Sequence, residues 1–310
     1  MTGGWLTVSD TGLSLVEEVE RTASIPVEPC GSSAEALEKY AGQTILFGDP
    51  DMVAKILPKL PDVDWVQSTW AGITPLTALG RRDYVLTGVK NVFGPQMTEY
   101  VLGYLLAHEL RVVERARQQA ARNWFDSPSG ILHGKRLGIM GTGSIGAHIA
   151  GMARAFGLKV RGLSQSGTQS PDFDDVRPVE DLHNFLEGLD YLVSVLPATH
   201  GTTHLLDNAA LAKLPRHAYF INVGRGYVVD DDALMDALND GRLAGAALDV
   251  FDEEPVPAAS PLWETPHLMI TAHIAAMSHP GLIVPIFIEN YRRYCYNEPL
   301  KFVIDLDKGY

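Results

Sequence analysis

Lys135-Arg-Leu-Gly-Ile-Met-Gly-Thr-Gly-Ser-Ile-Gly-Ala147 is the stretch on which the reading of this chain turns. Leu137 to Met140 is a short apolar run and reads as a buried strand. Gly141, Gly143 and Gly146 follow in G-x-G-x-x-G spacing. From Ala147 to Phe156, apolar residues return at Ile149, Met152, Ala153 and Phe156, which is helical spacing, and Gly157 suits a C-cap. A lone G-x-G-x-x-G is equally readable as a glycine-rich turn. The order strand, glycine turn, helix makes it a dinucleotide site. Gly141 permits the tight turn, Gly143 lets the backbone approach a pyrophosphate, and Gly146 lets helix and strand pack closely. The bare helix N-terminus offers N–H groups and a positive dipole end to phosphates. A nucleophile elbow is excluded, because Thr142 stands where G-x-S-x-G needs glycine.

Working outward, 310 residues suit two domains. With 46% hydrophobic residues the chain has ample core. Its 25 basic and 38 acidic residues leave a net charge of −13, which disfavours nucleic-acid binding. A solvated acidic surface explains that charge, and a saline habitat is the other source. Cys30 and Cys295 form no C-x-x-C, so a reducing compartment without disulfides is expected. The start Met1-Thr-Gly-Gly-Trp-Leu6 has no basic or apolar leader pattern, and no run suits a membrane span. The expected location is the cytoplasm.

Short β-rich runs at Trp5–Val8, Thr44–Phe47, Trp65–Ser68 and Tyr84–Thr87 alternate with helical patterns at Leu13–Arg21, Ser33–Tyr40 and Asp51–Leu57. That alternation predicts a parallel sheet covered on both faces. One long helix is expected from Met97 to about Ala121, followed by a polar connection from Arg122 to His133. After the glycine turn, strands are expected at Val160–Leu163, Tyr191–Leu196, Tyr219–Val223, Ala246–Val250 and Leu268–Thr271. Helices fall at Val179–Leu186, Asn208–Leu214 and Asp231–Asn239. Six strands with the glycine turn after the first is the doubly wound (Rossmann) arrangement. The tail from Pro280 to Tyr310 is read as returning to the first domain. The α/β fold is thus a Rossmann cofactor domain over 96–281 and a smaller flavodoxin-like α/β substrate domain over 1–95 and 282–310. The cleft is expected at the two crossings.

Reducing a 2-oxo acid with a nicotinamide cofactor needs a cation for carboxylate and carbonyl, a general acid, and a group that keeps that acid charged. Three successive strand ends supply them. Asn222-Val-Gly-Arg-Gly226 puts Arg225 between two glycines, where its fork can hold both oxygens. Leu248-Asp-Val-Phe-Asp-Glu-Glu-Pro255 offers Glu254, whose backbone before Pro255 is biased to an extended form. Thr271-Ala-His-Ile-Ala-Ala276 places His273 at a strand end among small residues, and a carboxylate beside it favours imidazolium. A solvent-facing arginine and a structural histidine are the bland readings of each motif taken singly. His200 and His204 sit in a loop, and without H-E-x-x-H no metal is supported.

Taken together, Gly141-Thr-Gly-Ser-Ile-Gly146, the Arg225 motif, the Glu254 motif and the His273 motif resemble the D-isomer-specific 2-hydroxyacid dehydrogenase family, nearest its glyoxylate/hydroxypyruvate reductase branch. The resemblance covers nearly the whole chain. It implies Arg225 as substrate binder, Glu254 as dyad carboxylate and His273 as general acid/base. It implies cofactor contacts at the Ser144 and Ile145 amides, Val223, Gly224, Ala275, and Asp249 near the nicotinamide carboxamide. Leu196-Pro-Ala-Thr-His-Gly-Thr-Thr203 looks like the family's loop under adenosine and pyrophosphate, with Leu196, Pro197 and Thr203 as contacts. Gln67-Ser-Thr-Trp-Ala-Gly-Ile73 looks like its first-domain loop, with amides near Ala71 and Gly72 on the substrate carboxylate and Trp70 as a bulky wall. A homodimer is implied, with the 97–121 helix and the 122–133 arm, Trp124 included, as its contact. No regulatory extension of the kind that long phosphoglycerate dehydrogenases carry is expected.

The function expected is NAD(P)H-dependent reduction of glyoxylate, hydroxypyruvate or a similar small 2-oxo acid. A reductase of larger or branched 2-oxo acids is the alternative within enzymes. A nucleotide-sensing, corepressor-like binding protein is the alternative outside them. Formate oxidation is disfavoured, because that branch carries an amide where Glu254 stands. The strand Lys159-Val-Arg-Gly-Leu163 ends at Ser164, where an NAD site carries an acid. Ser164, Gln165 and Ser166 can donate to a 2′-phosphate, and Asp172 lies too far along. NADP is therefore expected over NAD, although no arginine follows Ser164 and the direction of Arg161 is open.

Overall fold

The computed structural model describes residues 5–9, 12–23, 25 and 27–306. The first four residues of the N-terminal run and the last four of the tail lie outside them. The chain divides into two compact units, Met1–Val92 with Ser278–Tyr310, and Phe93–Met277.

In the first unit, β1 (Trp5–Val8), α1 (Gly12–Thr22), β2 (Val27–Cys30), α2 (Ser33–Lys39), β3 (Ile45–Gly48), α3 (Pro50–Ile56), β4 (Trp65–Ser68), α4 (Thr74–Thr77) and β5 (Val85–Thr87) alternate. The five strands lie in the order β2-β1-β3-β4-β5, all parallel. That is the flavodoxin-like order. β2 is a strand the sequence pattern did not show. Its residues Val-Glu-Pro-Cys carry no apolar run, and as an edge strand paired only through β1 it tolerates Pro29.

The second unit opens with α5 (Gly94–Glu109) and α6 (Val112–Ala120). The single long helix expected here is broken, because Arg111 is left-handed with φ 52°. No glycine or proline announces the break. Side chains hold it instead. Arg115 Nε donates to Leu110 O at 2.8 Å, and Arg111 Nη1 donates to Ser127 Oγ at 2.7 Å. Glu109, buried at the end of α5, accepts from Lys135 Nζ and Tyr191 OH at 2.6 Å each, so the connection to the glycine strand is pinned at both ends.

There follow β6 (Arg136–Met140), α7 (Ser144–Ala155), β7 (Lys159–Ser164), β8 (Asp175–Pro178), α8 (Leu182–Leu186), β9 (Tyr191–Ser194), α9 (Asn208–Leu211), β10 (Tyr219–Asn222), α10 (Asp231–Asn239), β11 (Gly245–Leu248) and β12 (Leu268–Ile270). The sheet has seven strands, not six, in the order β12-β11-β10-β9-β6-β7-β8. The added strand, β8, reads Asp-Val-Arg-Pro and pairs only with β7, so it too is an edge without an apolar run.

Alternate residues of the central strands serve opposite faces. Leu192 and Phe220 join one buried cluster, while Tyr191, Val193 and Ile221 join the other. Burial on both faces explains the continuous apolar runs. Truncating such a residue, for instance Leu192→Ala, costs about 2–5 kcal/mol. The strand order reverses between β6 and β9, the switch point where doubly wound sheets bind ligands. The chain closes with α11 (Pro280–Cys295) on α1 of the first unit. Among the described residues, no helix is long and apolar enough to cross a membrane.

Candidate active site

The glycine turn comes first, because β6 and α7 position it. Gly141 has φ +106°, and a Cβ there would stand 2.9 Å from Val195 Cγ2. A Cβ on Gly146 would stand 2.0 Å from Gly141 O, so only glycine lets the helix start this close to its strand. Gly143 differs. A Cβ there meets nothing within 4 Å, so no protein packing demands the glycine. Gly143 is the N-cap of α7 and makes no side-chain cap bond. The first amides of the helix, those of Ser144, Ile145 and Gly146, therefore have no capping side chain. This suits a pyrophosphate.

The next three ends are in register. Asn222 of β10 pairs with Leu248 of β11, which pairs with Ile270 of β12. Arg225, Glu254 and His273 thus leave adjacent strands at one edge of the sheet. Asn222 folds its amide over the loop. Its Nδ2 donates to Arg225 O at 2.9 Å, and its Oδ1 accepts from Gly224 N at 3.2 Å. The sequence reading passed over this residue, although a polar side chain ending an apolar strand is a signal. Val223 is buried, and Gly224 lies against the backbone of Leu196. The Arg225 guanidinium is held by Nη1 on Gly224 O at 2.5 Å. Burial lowers its pKa from the ordinary arginine value, and the Glu254 charge opposes that shift.

His273 Nδ1 lies 2.7 Å from Glu254 Oε2. The other carboxylate oxygen, Oε1, accepts from Phe251 N at 2.9 Å. Glu254 is therefore itself fixed, and its peptide to Pro255 is cis. The contact occupies Nδ1 and leaves Nε2 as the nitrogen that can face a substrate. About half of the His273 side chain is exposed, which is open enough for chemistry. Asp252, two residues before Glu254, lies 3.9 Å from His204 in the loop after β9.

Asp249 is almost fully buried, and its carboxylate accepts from Thr271 Oγ1 at 2.5 Å, Ile274 N at 2.9 Å and Ala275 N at 2.8 Å. The Ala275 amide is thus spent inside the loop. The loop after β9 is tied by Thr202 Oγ1 to Pro197 O at 2.7 Å and by Thr203 Oγ1 to Thr199 O at 3.1 Å.

At the end of β7, Ser164 Oγ accepts from Gly167 N at 3.1 Å, which leaves its proton free to donate. Gln165 beside it is exposed. Both nearby arginines are engaged elsewhere. Arg161 Nη1 donates to Phe185 O at 2.9 Å, and Arg177 pairs with Asp175 and Asp181 at 2.8 and 2.6 Å.

In the first unit, Ser68 Oγ bonds both Trp70 N and Trp70 O, at 3.1 and 2.9 Å. Thr69 Oγ1 donates to Asp49, and Ser278 Oγ to Thr69 O at 2.7 Å. The Gln67–Ile73 loop is thus internally braced, with Trp70 and Ala71 exposed and Gly72 half-buried.

Residues 102–275 match the family model described as D-isomer specific 2-hydroxyacid dehydrogenase, NAD binding domain. The chain belongs to this family. Glyoxylate/hydroxypyruvate reductase A of Klebsiella pneumoniae (strain 342) is 34% identical over 217 residues, 70% of each chain. A D-isomer specific 2-hydroxyacid dehydrogenase family protein from Aeromonas salmonicida superposes with a TM-score of 0.93 at 38% identity, covering 99% of this chain and 100% of that one. The NADPH-dependent glyoxylate/hydroxypyruvate reductase of Sinorhizobium meliloti, solved with NADP and sulfate, gives a TM-score of 0.88 at 28% identity, covering 99% of this chain and 100% of that one.

Proposed function

We propose that this enzyme reduces a small 2-oxo acid, glyoxylate or hydroxypyruvate in kind, to the D-2-hydroxy acid with NADPH. The observation that carries the reading is the 2.7 Å contact of His273 Nδ1 with Glu254, one strand end from Arg225. The amides of Ser144, Ile145 and Gly146 at the start of α7 would hold the pyrophosphate of a reduced nicotinamide dinucleotide, which when bound would supply the hydride. Arg225 binds the carboxylate and polarises the ketone, so charge that develops on oxygen meets a fixed cation. His273, with Glu254 on its Nδ1, gives its Nε2 proton to that oxygen. Glu254 stabilises the charged ring before transfer and fixes its orientation throughout. In hydroxy-acid oxidation the same nitrogen takes the proton back. Ala71 and Gly72 amides as the carboxylate grip, and Trp70 as the limit on substrate size, belong to the same proposal.

The choice of NADPH rests on Ser164. No carboxylate ends β7 to repel a 2′-phosphate, and the Ser164 hydroxyl keeps a proton to donate. With Arg161 and Arg177 engaged, the preference comes from neutral donors and is modest. A homodimer is supported by α6, which has no buried residue, and by exposed Leu110, Val112, Val113 and Trp124 around it.

The test is a panel of glyoxylate, hydroxypyruvate, pyruvate and phenylpyruvate, each with NADPH and NADH. Highest kcat/KM on the two smallest acids with NADPH is expected. Preference for phenylpyruvate would move the assignment to larger substrates, and no turnover of any member would overturn it.

A further inference from the structure

We propose that Tyr100 and Thr271 are positioning residues for His273, acting through the buried carboxylate of Asp249. The inference rests on the reading of His273 as the proton donor. The three side chains form a chain of short contacts inside the second unit. Tyr100 OH lies 2.7 Å from Thr271 Oγ1, and Thr271 Oγ1 lies 2.5 Å from Asp249 Oδ1. The direction follows from proton counting. A carboxylate only accepts, so the single Thr271 proton goes to Asp249. Tyr100 must then donate to the Thr271 oxygen. Burial raises the Tyr100 phenol above its ordinary pKa, which keeps that proton in place.

What this chain holds is an unusual backbone. His273 is left-handed, with φ +54°. A non-glycine residue holds that conformation only where its surroundings offset the strain. Here they do. His273 N donates to Asp249 O at 2.8 Å, and the two amides that follow, Ile274 and Ala275, both end on the Asp249 carboxylate. Three consecutive amides are thus fixed by one residue. Asp249 in turn is oriented by Thr271, and Thr271 by Tyr100 on α5. The Tyr100 ring is braced by Tyr104, at 4.6 Å between centroids. Loss of either hydroxyl frees Asp249 to rotate, and His273 Nδ1 then loses its register with Glu254. A displacement of about 1 Å at such a group is worth up to 100-fold in rate.

Tyr100→Phe, Thr271→Val and Thr271→Ser separate positioning from packing. All three keep most of the buried volume, and Thr271→Ser keeps the hydroxyl. Tyr100→Phe and Thr271→Val are expected to lower kcat about tenfold with the KM for NADPH unchanged, while Thr271→Ser restores wild-type kcat. Amide hydrogen exchange on the cofactor-free protein gives an independent readout. Ile274 and Ala275 should exchange faster in Tyr100→Phe and Thr271→Val than in wild type or Thr271→Ser. Protected amides in both hydroxyl-less variants would overturn the proposal, whatever happens to kcat. Failure of Thr271→Ser to restore kcat and protection would do so as well. A wild-type protein that turns over no 2-oxo acid overturns the proposed function, yet the exchange measurement still decides whether this chain holds the His273 loop.

Discussion

Glu254 holds His273 from a position that is itself held. One carboxylate oxygen stands 2.7 Å from His273 Nδ1, and the other accepts the Phe251 amide at 2.9 Å. A carboxylate fixed at both oxygens does two things for the ring. It gives the Nδ1 side a fixed acceptor, and it sets the direction of Nε2.

The pair sets the next test. In Glu254→Gln the ring loses the carboxylate that accepts at Nδ1, so kcat for reduction should fall about tenfold with the KM for NADPH unchanged. His273→Ala should cost about 10²–10⁴ in kcat with cofactor affinity little changed. Steady-state kinetics of wild type and the two variants check this, and a wild-type kcat in Glu254→Gln would make the glutamate a bystander.

Arg225 has a different vulnerability. Its planar fork can engage two oxygens at once, which a lysine ammonium cannot. Arg225→Lys keeps the charge and should still lose on the order of 10²-fold in kcat/KM, the usual scale for one oxyanion-binding group. Steady-state kinetics on glyoxylate decide it. Near-wild-type values in the lysine variant would remove Arg225 from the substrate.

Ser164→Asp should swing cofactor choice toward NADH. The new carboxylate repels a 2′-phosphate and accepts from ribose hydroxyls. The ratio of kcat/KM for the two reduced cofactors reads the effect. A wild-type ratio at or below one would show that neutral donors do not suffice here.

Asp231, in the first turn of α10, gives a stability prediction. Burial, then the charges of Asp252, Asp230 and Asp232, raise its pKa from the ordinary aspartate value to about 6. The folded state therefore holds a proton that the unfolded state has released, and stability falls as pH rises from the ordinary value through about 6. Asp231→Asn should raise Tm at pH 7 and leave it unchanged near pH 4. Partial exposure screens the effect, so the gain is a few degrees at most. Thermal melts at the two pH values test it, and an equal shift at both would point to a cause other than charge.

The legible parts of this protein are those whose signal is local. The glycine turn was readable because Gly141 and Gly146 meet constraints set within a few residues. The central strands were readable because burial on both faces writes an uninterrupted apolar run. The two missed strands, β2 and β8, are edges, where a single neighbour is enough and Pro29 or Pro178 is tolerated. The break at Arg111 was not readable, since what stabilises it is side-chain bonding with residues well along the chain, Arg111 to Ser127 and Arg115 to the Ser127 carbonyl, and no glycine or proline.

By itself, the sequence determined the α/β class, the dinucleotide turn and the three chemistry-bearing motifs, because strand and helix periods and glycine spacing are properties of neighbouring residues. Tertiary structure alone decided that Asn222, Leu248 and Ile270 stand in register, so that Arg225, Glu254 and His273 leave adjacent strand ends. It also decided which oxygen of Glu254 meets which nitrogen of His273, and that Asp249 spends its carboxylate on the His273 loop. Such relationships depend on how residues far apart in the chain are packed, and a hydrogen bond is defined by tenths of an ångström that no spacing in the sequence encodes.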